Sequence, residues 1–183
     1  VTLVYVDGTQ GWKATDTSSL SDIELQPAYV TATGGTISCS GDYRIHTFTG
    51  PGTFCVSALG NPVGGPNSVD YMVVAGGGSG SGSDNGVRGG AGGAGGFRES
   101  SGTATGSYTA SPLGACVSAL PVSVTGYPIT VGGGAPTPGP AVPINGPSGK
   151  GTSGSNSTFS TITSTGGGGG TTISAGTAGT GGS

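Results

Sequence analysis

Few residues in this chain have the types or spacing that chemistry needs. There is one histidine, His46, and a Ser-His-Asp triad or a histidine metal site would have to be built on it. It stands between Ile45 and Thr47 in the alternating run Tyr43-Arg44-Ile45-His46-Thr47-Phe48-Thr49, where a strand face claims it for packing. Three cysteines, Cys39, Cys55 and Cys116, match no zinc spacing. Two readings of them stand open. One is a single disulfide with one free thiol, most simply Cys39 to Cys55 in neighbouring candidate strands. The other is buried thiols acting as small apolar residues. The acidic residues are too scattered to nominate a glycosidase pair. Glycine-rich loops hold phosphate where they open a helix, and here neither a helix nor Lys-Ser/Thr follows the glycine. The expectation is a protein that is not an enzyme and carries no metal and no cofactor.

Stepping from these residues to the elements around them, composition narrows the class. The chain has 183 residues, of which 43 are Gly and 12 are Pro. Collagen needs glycine at every third position throughout, which this chain lacks. Flexible Gly/Ser linker is the next reading, and the apolar runs that punctuate the glycine argue against it. Only 7% of residues are charged, the net charge is -3, and no Lys/Arg cluster exists, so the electrostatic footprint of a nucleic-acid binder is missing. No apolar run approaches the roughly 20 residues that span a bilayer. Val1 opens in mid-strand without Met, as a fragment or a processed chain would, so the missing targeting signal excludes nothing.

The chain is organised around Val69-Asp70-Tyr71-Met72-Val73-Val74-Ala75 followed by Gly76-Gly77-Gly78. Met72 to Ala75 is too short for a helix and reads as a strand buried on both faces. The same step from strand into glycine recurs at Tyr127 to Gly134 and at Ser157 to Gly170. Residues 1–27 read as an N-terminal β-hairpin turned at Asp7-Gly8, with Trp12 packing across it, and a linker from Asp16 onward. Residues 28–183 read as a glycine-rich β domain, with glycine runs at 76–96, 132–155 and 166–183. Tyr29 to Ala58 reads as an antiparallel meander turned at Gly34-Gly35, Ser40-Gly41-Asp42 and Gly50-Pro51-Gly52. The expected fold is all-β, an antiparallel β-sandwich or jelly-roll-like domain with little or no α-helix.

The glycine runs carry a period. Gly86, Gly89, Gly92 and Gly95 recur every third residue, as do Gly146 and Gly149, Gly151 and Gly154, and Gly176, Gly179 and Gly182. Three residues per turn is the period of a polyproline-II-type helix, which has no internal hydrogen bonds. Bare glycine faces let such helices approach until N–H groups bond to neighbouring carbonyls, which satisfies buried backbone. The long loops are therefore expected to pack as polyglycine-II helices beside the β domain.

Several stretches resemble one family, the glycine-rich domain proteins found largely among bacteriophage tail fibres and related virion proteins. Asp42 to Thr49 with Gly50 to Phe54 resembles the family's opening hairpin, Tyr71 to Gly78 its central strand, and Gly92-Gly93-Ala94-Gly95-Gly96-Phe97-Arg98 the close of its first loop. Tyr127 to Gly132 and Ser155 to Gly170 resemble its later units, and Leu3 to Gly8 with Gly11-Trp12 is similar to a hairpin common at domain ends in phage tail proteins. The resemblance implies a virion structural protein, commonly homotrimeric, displayed at the tail or fibre and contacting the host surface. Cys39 and Cys55 stand where the family usually has Thr or Ser, and that paired departure favours a disulfide between them.

Glycine offers no side chain for recognition, so specificity falls to the interruptions of the glycine runs. Asp84, Asn85 and Arg88 interrupt the first run, and Asn145 and Lys150 the second. The reading is a tail-fibre or adhesin module, virion-borne or extracellular, with other virion tail proteins and a bacterial surface glycan or outer-membrane protein as partners and no nucleic acid. The alternatives are a self-assembling subunit of an open filament and, less favoured, an ice-binding protein.

Overall fold

Short β-branched runs broken by Gly, Pro and Asn make strands and tight turns rather than helices. The structure, a computed structural model, describes residues 3–14, 26–82, 89–100, 118–137, 150–171 and 177–182. Every regular element among them is a β-strand, and every strand pairing is antiparallel.

Strands β1 (Leu3–Tyr5) and β2 (Trp12–Ala14) form the N-terminal hairpin. Asp7 shapes its turn, its Oδ1 accepting from the amides of Thr9 at 2.8 Å and Gln10 at 2.6 Å. Trp12 meets Tyr5 across the hairpin, edge to face at 5.5 Å, and yet is 68% exposed. The linker expected after it, through Gln26, lies mostly outside the described residues.

Strands β3 (Thr31–Thr33), β4 (Thr36–Ser40), β5 (Tyr43–Thr47) and β6 (Gly52–Ala58) correct the expected meander. β4 pairs only with β5, as a separate ribbon, while β3 reaches past both to pair with β6. The cause lies at Gly34 and Gly35, whose φ values of 109° and 63° swing the chain out of the sheet. A Cβ at Gly34 would run into the carbonyl of Thr53, so only glycine fits there. Pairing β3 with β6 puts Ala32 opposite Val56 and buries both.

The remaining strands are β7 (Ser68–Val69), β8 (Met72–Val74), β9 (Phe97–Glu99), β10 (Leu120–Pro121), β11 (Gly126–Thr130), β12 (Ser157–Phe159) and β13 (Ile162–Ser164). The main sheet has five strands in the order β13-β12-β11-β6-β3, and β7 with β10 and β8 with β9 form two-stranded ribbons. The core joins these units through Ala32, Phe54, Val56, Val73, Val122 and Phe159. Phe54 and Phe159 meet edge to face at 5.9 Å, with Tyr127 and Tyr71 against Phe159 at 6.2 and 6.3 Å.

The organising strand is buried on one face only. In β8, Val73 is 8% exposed while Met72 and Val74 are 69% and 51% exposed, because β8 has a single partner strand and one packed side. An uninterrupted apolar run does not distinguish these two environments.

Candidate functional site

Three strands lead into glycine, as their spacing predicted. β8 opens onto residues 75–82, which return through 89–96 to β9. β11 opens onto 132–137, which return through 150–155 to β12, and β13 opens onto 165–171, followed by 177–182. These are six glycine-rich segments, numbered first to sixth in chain order.

Backbone hydrogen bonds tie them together at every third residue. In the first segment Ala75, Gly78 and Ser81 donate to the carbonyls of Gly96, Gly93 and Gly90 in the second, while Gly76 and Ser79 donate to Ser155 and Thr152 in the fourth. Gly90, Gly93 and Gly96 donate onward to Thr171, Gly168 and Thr165 in the fifth. Gly151 and Gly154 donate to Gly170 and Gly167, which themselves donate to Ser79 and Gly76. Ala135 of the third segment reaches Gly77, and Gly179 of the sixth reaches Gly169. The bonds sort the segments into two stacked layers, third-first-second and fourth-fifth-sixth. Hydroxyls and one side-chain amide also accept from N–H groups, that of Gly90 being shared with Thr171. Ser79 Oγ accepts from Thr152, Ser81 Oγ from Gly90, Ser157 Oγ from Gly132 and Asn156 Oδ1 from Gly166, at 2.7 to 2.9 Å.

Close approach explains the glycine. Gly166 to Gly170 are all buried, and added methyl groups there would strike different neighbours in turn: the fourth segment at Gly166 and Gly169, the second at Gly167 and Gly170, the sixth at Gly168. The described glycines among those whose spacing marks the period in the sequence are at such contacts. Gly89, Gly92 and Gly95 abut the first segment, and Gly151 and Gly154 abut it from the other layer.

The register also fixes direction. Residues 75, 96, 155 and 165 lie beside the sheet, while Ser81, Gly90, Gly151, Gly170 and Thr171 meet at the far end. The described residues that flank 83–88, 138–149 and 172–176 therefore lie toward that one end. Of the candidate contact residues, Lys150 is exposed there, while Asp84, Asn85, Arg88 and Asn145 lie outside the described residues.

The remaining candidates have structural surroundings. His46 Nδ1 donates to the Gly34 carbonyl at 2.8 Å, and its ring stands edge-on to Phe54 at 5.1 Å. Cys39 and Cys55 are not joined. Both are free and exposed, Cys39 on the β4-β5 ribbon and Cys55 on β6 of the main sheet, because the ribbon leaves the sheet between them. Cys116 lies outside the described residues. An open depression around Phe48, lined by Thr36, Thr47, Thr49 and Thr53, presents no charged group. Sequence reasoning passed over Ser100. This fully buried residue donates through Oγ to Asp70 Oδ1 at 2.6 Å and accepts from the Tyr71 amide at 3.1 Å, tying the end of β9 to the link between β7 and β8. Among the described residues no group of three His, Cys, Asp or Glu is placed to hold a metal.

Among the described residues these features define an antiparallel β domain without a helix, carrying a hydrogen-bonded stack of glycine segments. The model of one family, described as a glycine-rich domain, matches residues 47–183, from the end of β5 through all six segments. The chain belongs to this glycine-rich domain family. No curated protein and no solved structure matches it.

Proposed function

We propose that this chain is a structural module of a virion, a tail-fibre or adhesin domain that carries host-contact loops on a bundle of polyglycine-II helices. One observation carries the reading: the described residues that flank three connections lie toward one end of a stack whose hydrogen bonds repeat every third residue. That repeat matches a helix of three residues per turn. At about 3.1 Å per residue, the first segment holds its tip some 25 Å from the sheet. Such a stack suits display. Its backbone bonds hold the loop ends in place, and its interior leaves no room for side chains that recognise a ligand. The module works outside the cell or on the virion, as a homo-oligomer, and it binds a bacterial surface glycan or outer-membrane protein without catalysis.

The test is binding of the labelled chain to a panel of lipopolysaccharides and outer-membrane vesicles. The reading expects saturable binding to some of them, weakened when Asp84, Asn85 and Arg88 are replaced together by Ala, with an unchanged melting curve. No binding across the panel, or binding indifferent to that replacement, counts against it.

A further inference from the structure

The outer face of the first layer is open. On it the first and second segments run side by side and antiparallel, and their residues align in rungs. Val74 stands opposite Phe97 by strand register, and the bonds from Gly78 to Gly93 and from Ser81 to Gly90 set Gly77 opposite Ala94 and Gly80 opposite Ala91. Phe97, Ala94 and Ala91 are all exposed, as is Val74 at 51%. A Cβ built on Gly77 would meet nothing nearer than 3.7 Å. The amides of Gly77 and Gly80 have no protein acceptor among the described residues. One column is thus a ridge of phenyl and methyl groups, and the column beside it falls from Val74 into a groove of bare backbone.

We propose that this face is a self-association surface that takes a second copy of the chain, related by a two-fold axis parallel to the segments. Such an axis sets each copy's ridge over the other's groove, Ala94 over Gly77 and Ala91 over Gly80, at the same height. A closed two-fold contact of this kind buries one patch against itself. The rows carry no charged side chain, which disfavours an ionic partner, and their complement in shape is another face with the same alternation of ridge and groove. Two segments about 25 Å long and a third about 19 Å long, each about 5 Å apart, give a footprint of roughly 350 Å² per partner, under half that of a standard interface. The dimer is therefore weak and concentration-dependent. It is parallel, so both sets of tips point the same way. The inference rests on the segment geometry and not on the virion reading: a dimer that binds no bacterial surface would sink that reading and leave this one standing.

Sedimentation equilibrium of the whole chain from micromolar to millimolar concentration tests it, with far-UV circular dichroism and melting to verify folding. The expected result is a monomer–dimer equilibrium. Ala94→Arg abolishes it, Gly77→Ala weakens it by roughly tenfold or more through overpacking, and Gly181→Ala, a substitution into open space on the sixth segment, leaves it unchanged. Retention of the dimer by a folded Ala94→Arg variant overturns the proposal. So does a wild-type chain that is monomeric throughout the range, a closed trimer as the family resemblance implied, or an open filament.

Discussion

At Gly167 a single methyl group would strike the backbone of the second segment, at its Gly93 and Ala94, while at Gly181 it would meet nothing within 4 Å. The same substitution therefore separates packing from propensity. Gly167→Ala should destabilise the fold by about 1–3 kcal/mol through overpacking, and Gly181→Ala should stay within about 0.5 kcal/mol. Urea unfolding of the two variants measures the difference. Ser164 is a second sensitive residue. Fully buried, it donates through Oγ to the Val73 carbonyl at 2.7 Å and so ties β13 to β8. Ser164→Ala removes that bond from a carbonyl that keeps its place in the β8-β9 ladder and should cost about 0.5–1.5 kcal/mol. Cys39 and Cys55, both free and exposed, should each react with a thiol reagent in the native protein. Cys39→Ser and Cys55→Ser should each lower the native thiol titre by one equivalent, and an unreactive pair that appears only after reduction would instead be a disulfide.

At the scale of elements, β6 is the strand on which the fold depends. It pairs with β3 on one side and β11 on the other, and it supplies Phe54 and Val56 to the core. Phe54→Ala should cost about 3–5 kcal/mol, whereas Met72→Ala on the open face of β8 should cost under about 0.5 kcal/mol, read from the same unfolding curves. Met72 and Val73 look alike in sequence, and only the partner packed on one side of β8 makes one of them core. Pro128 teaches a similar lesson. Proline is normally kept from central strands, yet it lies in β11, the middle strand of the main sheet. Its carbonyl still accepts from Ser160, and the register with β12 begins only at Ile129. The strands themselves were legible from β-branched runs and turn residues. Which strands pair was not, because β3 finds β6 across a whole hairpin, and that choice is made by burial of Ala32 and Val56 rather than by proximity in the chain.

For the whole molecule, the glycine stack should behave as one body. The amides of Gly78, Gly93, Gly167 and Gly170 bond to neighbouring segments, so they should exchange with solvent slowly and together. Those of Gly77 and Gly80, which lack a protein acceptor, should exchange quickly in the monomeric Ala94→Arg variant. Hydrogen exchange followed by NMR reads both sets, and uniform fast exchange across the glycine segments would show that the stack does not hold in solution. The sequence by itself determined that the chain is all-β, that three strands run into glycine, and that the glycine keeps a three-residue period, because strand propensity, breakers and spacing are local properties. It also determined that few groups capable of chemistry are present. Only the tertiary structure decided which neighbour each described glycine meets, that the segments stack in two layers, and that the Ala91–Ala94 ridge lies open beside a glycine groove. Those facts depend on contacts between residues as far apart as Gly76 and Gly167, whose bond no local pattern encodes.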